Sequence, residues 1–437
     1  MEHFDCEFVN CQKLYFLMKK ALLTYFIGLS FGLIAQENPI ISGCFTNFPD
    51  SISSIKVAYP RMASLSVREN ILVFNGCFEL EWKHPERGVF VVYIDADHTF
   101  DFVISAGNIQ FTGDFNKIRN VLIEGPGNDE FDAFKKFAAK KDVQEELMRA
   151  YLLEIKDTAL KDFLLPQILP LNSDTNVYWL RAHFWDYTNL KSRSTLINPF
   201  FENNRKIYFD QVLGHEPDTI IFYLERLFSQ PMDVQVKKFL VSVLTYQYET
   251  SSFMGEDAVF VWLANKFYNT GFADWMSKED LAKIRTKSEG LATELIGNPA
   301  KNFPFDTRDG NRMLLSEVES PITILYFWSS ECGHCRQETP KLKALYDEYK
   351  DRGVQVLAIT LELELDNWNK FIEKYDLDWL NGFESDYDRP NFQWFYYIPS
   401  TPKKLILDAD KNIIAKNLDI ETTMRTFLDD YLAQQPH

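Results

Sequence analysis

The chain has little that could hold a metal. Its 437 residues include six cysteines and seven histidines. Only one C-x-x-C occurs, Cys332-Gly333-His334-Cys335, and His3, His84, His98, His183, His215, His334 and His437 include no pair at metal-ligand spacing. A structural zinc site needs four ligands, so no metal is expected. Basic residues are also in short supply, 46 Lys and Arg against 63 Asp and Glu, a formal net charge of −17. That balance disfavours nucleic acid and anionic membrane surfaces as partners. Between residues 36 and 296 no nucleophile–base pair, phosphate loop or paired catalytic carboxylates stand out.

The beginning has the form of a secretory signal peptide. Met18-Lys19-Lys20 opens a basic region, Ala21 to Ile34 is apolar, and Ala35-Gln36 is a cleavage point with Leu33 and Ala35 at the small-residue places. The apolar run is too short for an anchor. No cysteine follows it, so lipid anchoring is not indicated. The expectation is a leader over 1–35, with Met18 as the true start, and delivery to the periplasm or cell envelope. Cys44, Cys77, Cys332 and Cys335 then remain. An oxidising compartment permits a second disulfide. Cys44 and Cys77 lie in two Gly-Cys-Phe triplets on expected strands. Distance cannot be read from sequence, and two buried free thiols are the favoured reading.

The C-x-x-C is the most informative feature. Ile322 to Trp328 is a β-branched and aromatic run that reads as a buried strand, and Leu342, Leu345 and Tyr346 follow at helical spacing. The two cysteines therefore fall where a strand turns into a helix N-terminus. Free backbone N–H groups and the helix dipole favour an anion there, and a thiolate is the reactive form of cysteine.

The stretch Phe327-Trp328-Ser329-Ser330-Glu331-Cys332-Gly333-His334-Cys335-Arg336-Gln337-Glu338-Thr339-Pro340 resembles the active-site segment of TlpA/ResA-type thioredoxin-fold proteins, which group with the AhpC/TSA-like proteins. Ser400-Thr401-Pro402 matches the cis-proline loop of that family. The resemblance runs from about Ile296 to the C-terminus. It implies an α/β thioredoxin fold and thiol–disulfide oxidoreductase activity, with Cys332 as nucleophile and Cys335 as resolving thiol. It also implies His334 lowering the Cys332 pKa, Glu338 modulating thiol ionisation, and Thr401, Pro402 and Trp328 contacting substrate. Pro340 matches the proline that kinks the first helix. Gly-His between the cysteines is the pair of protein disulfide isomerases, with potentials near about −180 mV against about −270 mV for thioredoxin.

Some positions depart from related patterns. Tyr326 stands where thioredoxin has a buried Asp. Glu331 stands where thioredoxin has Trp, and its charge opposes a thiolate. Ser329 fits the peroxiredoxin pattern, but Leu325 does not, which disfavours a peroxidase. Redox-active thiols are the only cofactor expected. The implied partners are protein thiols or disulfides and a membrane or envelope electron donor; a homodimer is left open. A redox-inert or redox-sensing scaffold is the rival reading.

The chain reads as multidomain. Residues 36–125 carry short apolar or alternating runs and hairpin signals at Asn75-Gly76 and Ala106-Gly107-Asn108, predicting a β-sandwich. Gly125-Pro126-Gly127-Asn128 reads as a linker. Residues 126–296 read as all-α, with helices over Glu130–Lys156, Asp233–Tyr248 and Asp257–Tyr268. Residues 297–437 form the thioredoxin-like unit. The first two segments resemble small accessory domains of unknown function found before such thioredoxin domains. Phe392, Trp394, Phe395, Tyr396 and Tyr397 are read first as packing and second as the frame of a substrate groove.

Overall fold

The computed structural model describes residues 38–434, apart from 62–63, 141–142, 171–175 and 385–391. The expected leader over 1–35 and the start at Met18 lie outside the described residues.

The alternating segments form eight strands: β1 (Ile40–Thr46), β2 (Ser54–Arg61), β3 (Ser64–Leu72), β4 (Cys77–Glu81), β5 (Gly88–Tyr93), β6 (Thr99–Ile104), β7 (Ile109–Asp114) and β8 (Leu122–Glu124). They make two four-stranded sheets, ordered β4-β1-β7-β8 and β3-β2-β5-β6. Ile41, Phe78 and Phe111 of the first sheet and Val57, Phe90 and Phe102 of the second share one buried core. Asn75 and Gly76 both take positive φ, +49° and +73°, as a two-residue hairpin turn requires. Ala106-Gly107-Asn108 does not close a hairpin. It carries the chain from β6 in one sheet to β7 in the other, where β7 runs parallel to β1. The Asn108 side chain accepts the Ile40 N–H at 2.9 Å, which fixes that crossover.

Cys44 and Cys77 are joined in a disulfide, against the reading as free thiols. They are direct partners in the β1–β4 register, a long-range placement that periodicity does not encode. The Gly125–Asn128 run is also not a loose linker. Asn128 is buried, accepts the Val103 N–H at 2.8 Å and donates to the Val103 carbonyl at 3.1 Å.

The helix expected over Glu130–Lys156 is two helices, α1 (Asn128–Ala138) and α2 (Glu145–Glu154). Folding back stacks Phe137 on Tyr151 and gathers Phe134 and Leu152 in one cluster with Val89 and Val103 of the sheet. A single straight helix could not bury both halves on that surface. α3 (Thr158–Leu164) joins the same cluster. There follow α4 (Val177–His183), α5 (Pro199–Ile207), α6 (Pro217–Ser229), α7 (Val234–Glu249), α8 (Asp257–Leu263) and α9 (Lys278–Ala292). Asp233 caps α7 through the Gln235 and Val236 N–H groups. The aromatic stripe of this region, including Phe184, Trp185, Phe260 and Phe267, is core.

The last unit is a seven-stranded sheet, β10-β9-β13-β12-β11-β14-β15. Its strands are β9 (Pro304–Thr307), β10 (Arg312–Leu314), β11 (Ile322–Trp328), β12 (Val354–Thr360), β13 (Leu380–Phe383), β14 (Lys403–Leu407) and β15 (Ile413–Lys416). Helices α10 (Gly333–Tyr349), α11 (Asp366–Tyr375) and α13 (Thr423–Ala433) pack on one face through Leu342, Trp368 and Met424. The other face carries Phe303, Phe305 and the short α12 (Phe392–Phe395). Phe392, Phe395 and Tyr396 pack there, with Phe392 stacked on Phe327, so these three aromatics pack into the core. Trp394 lies outside the described side chains.

Candidate active site

β11 is buried at every position and ends at the sheet edge where the chain turns into α10. Cys332 is the N-cap of that helix, and the Cys335 N–H donates to its Sγ at 3.5 Å. From the opposite side the Thr401 carbonyl accepts from the Cys332 thiol at 3.3 Å. The Thr401–Pro402 peptide bond is cis. Four of the expected residues, Cys332, Cys335, Thr401 and Pro402, thus meet from two separate segments.

The two thiols are unlike. Cys332 is partly exposed and Cys335 buried. Burial works to raise the Cys332 thiol. It is outweighed by hydrogen bonding from the Thr401 side chain, from the backbone N–H groups of Cys335 and His334 and from the Cys335 side chain, leaving Cys332 below the usual range. Burial pushes Cys335 up to about 12, with the neighbouring Cys332 adding to the rise. The helix start thus favours the outer thiolate, while burial keeps the inner sulfur protonated.

His334 contributes through its backbone; its imidazole is exposed. Glu338, expected to modulate thiol ionisation, is ion-paired with Lys404, whose side chain is about 8% exposed. Glu331 is exposed and accepts from the Asn367 side chain at 3.2 Å. Tyr326 donates or accepts a 3.0 Å hydrogen bond with Thr339, and burial holds its phenol well above the ordinary range. Trp328 requires a correction. It is fully buried, stacked on Tyr326 and edge-on to Phe371, so it cannot touch a substrate. It is the last residue of β11, a strand in which every side chain is covered.

Glu362 was missed. Its carboxylate accepts the Ser329 and Ser330 hydroxyls, each at 3.0 Å, and the Ser330 N–H. Arg336 Nε donates to the Ser330 carbonyl at 2.6 Å. Together they hold the turn that presents Cys332. One signal was available: Glu362 comes two residues after β12, which runs parallel beside β11, so both strands end at the same edge.

The fold and the paired thiols define a thioredoxin-type redox domain. The AhpC/TSA family matches residues 296–426. The thiol-disulfide oxidoreductase ResA of Bacillus cereus is 25% identical over 127 residues, 29% of this chain and 72% of that protein. ResA of Oceanobacillus iheyensis is 35% identical over 89 residues, 19% of this chain and 45% of that protein. Among solved structures, a domain of a "possible thiol-disulfide isomerase" from Cytophaga hutchinsonii is 38% identical, covering 31% of this chain and 92% of that one, with a TM-score of 0.30. A thioredoxin-like protein from Bacteroides caccae is 18% identical, covering 61% and 98%, with a TM-score of 0.49. The C-terminal domain is TlpA/ResA-like, similar to the AhpC/TSA family over residues 296–426, and its enzyme class is thiol–disulfide oxidoreductase.

Proposed function

We propose that this chain is an exported oxidoreductase acting on protein thiols and disulfides, with Cys332 as attacking sulfur and Cys335 as resolving sulfur. The observation that carries this reading is the asymmetry of the pair, an accessible thiol held low and a buried one held high. The Cys332 thiolate attacks one sulfur of a substrate disulfide. An S–S bond forms to the enzyme, and one substrate thiolate leaves. Cys335 then gives up its proton, and its sulfur attacks Cys332, releasing the second substrate thiolate. The substrate gains two electrons and two protons, and the enzyme is left as the disulfide. An envelope electron donor would reset it; dithiol substrates would run the sequence backwards.

Thr401 and Pro402 are the residues best placed to meet the substrate backbone beside Cys332. The Ser329 hydroxyl is engaged by Glu362 rather than by Cys332, which does not favour a peroxidase. The two-sheet unit, read as a β-sandwich over 36–125, and the all-α region over 126–296 serve as accessory domains. Among the described residues no helix is long and apolar enough to cross a membrane. Cys332→Ser should abolish reduction of insulin disulfides, and retained turnover would sink the assignment. Cys335→Ser should trap substrates as mixed disulfides on Cys332; finding none by non-reducing mass analysis would remove the resolving role.

A further inference from the structure

β14 opens with two adjacent lysines that leave the sheet on opposite faces. Lys404 pairs in register with Tyr326 and Lys403 with Phe327, and these aromatics belong to the cores on the two faces. Both lysine side chains are nearly buried, and each meets a carboxylate. On one face Lys404 meets Glu338 of α10. On the other, Lys403 meets Glu294, two residues past the end of α9 and with only 1% of its side chain exposed.

Glu294 does more than neutralise Lys403. Its carboxylate also accepts the Tyr397 N–H, while Lys403 donates to the Tyr397 carbonyl. The neighbouring Thr293 hydroxyl donates to the Phe395 carbonyl at 2.6 Å. Lys416 of β15 donates to the Glu294 carbonyl at 2.9 Å and pairs with Asp257 of α8. Gly290 permits the close approach, since a Cβ there would lie 2.7 Å from the Cβ of Tyr397. The helical region therefore grips the chain at Phe395, Tyr397 and Lys403. Thr401 and Pro402 lie within that gripped span.

A buried ion pair is a poor source of net stability, because desolvating both charges offsets their attraction. Its better-attested use is to fix one arrangement over others. We propose that Glu294 is a positioning residue of the redox centre, acting from the helical region to fix Tyr397–Lys403 and thereby the placement of Thr401 and Pro402 against Cys332. This rests on the assignment of Cys332 and Cys335 as the reacting pair.

The test uses the full chain, Glu294→Gln and the double variant Glu294→Ala/Lys403→Met, which removes both charges together and with them the acceptor of the Tyr397 N–H and the donor to the Tyr397 carbonyl. Two quantities are read: the pH midpoint of Cys332 alkylation, and the equilibrium constant of the Cys332–Cys335 couple against glutathione. The double variant should shift the midpoint, because the Thr401 carbonyl that accepts from the Cys332 thiol is no longer held in place. It should also shift the equilibrium constant at least about threefold, within the range that residues outside a site exert on it. A folded double variant with a lowered Tm but wild-type values of both quantities would overturn the proposal, leaving Glu294 a domain fastener only. If the double variant does not fold, Glu294→Gln, which keeps an acceptor for Tyr397, is read by the same two criteria. A wild-type chain whose pair fails to cycle at all would instead bring down the underlying assignment and this inference with it.

Discussion

At the scale of the residue, function rests on a difference between two sulfurs three positions apart. Cys332 caps a helix and is held below the usual thiol range, whereas burial pushes Cys335 up to about 12. Iodoacetamide should therefore modify Cys332 with a midpoint below the roughly 8.5 of a free thiol. Cys335 should stay unmodified until strongly alkaline pH. Peptide mapping of the alkylated, reduced protein checks this, and earlier modification of Cys335 would contradict it. Tyr326 and Thr339 bear on the support beneath the pair. Tyr326→Phe leaves the fully buried Thr339 hydroxyl without its partner and should cost about 1–2 kcal/mol of stability in denaturant unfolding. The cysteines and Pro402 were legible in the sequence because a short motif carries its own local geometry. The place of Trp328 was misjudged because adjacency in sequence to Cys332 is not adjacency at the surface.

At the scale of the element, the active site is a turn between β11 and α10, and its shape is set from outside. Glu362 reaches it from the loop after β12 and satisfies the nearly buried Ser330. Glu362→Ala should leave those groups without acceptors, lowering stability by about 1–3 kcal/mol and slowing insulin reduction. Equilibrium unfolding and a turbidity assay read the two effects; unchanged values in both would remove Glu362 from the site. The strand and helix identities around the motif followed from periodicity, and β11 matches the expected Ile322 to Trp328 run. Contacts made across the fold did not follow. Glu362 and Lys404 are charged residues of a kind that usually faces solvent, and only the sheet order brings them to Cys332's turn and to Glu338. The split of the expected Glu130–Lys156 helix has the same origin. Helical pattern marks which face is apolar but not where a second surface will demand a fold-back.

At the scale of the whole molecule, the redox unit is one part of a larger assembly of sheets and helices. The Cys44–Cys77 bridge lies in the first of these, across 33 residues of chain. Loop-closure entropy assigns it about 3–4 kcal/mol. The variant Cys44→Ser/Cys77→Ser should lose stability on that order in urea while the Cys332–Cys335 couple cycles as before. A lost or displaced couple would show that the bridge takes part in the chemistry. The pairing was invisible in sequence because registers between distant strands are set by the assembled sheet. The same holds for Glu294 and Lys403, 109 residues apart.

The central claim is that Cys332 and Cys335 form a reversible two-electron couple. Equilibrating the full chain in glutathione buffers, followed by thiol alkylation and mass analysis, measures it directly. The account predicts that both thiols convert together between reduced and disulfide forms, with a midpoint in the range of roughly −180 to −270 mV spanned by disulfide isomerase and thioredoxin. A pair that stays wholly reduced or wholly oxidised across that range would contradict it and leave a redox-inert thioredoxin fold in its place.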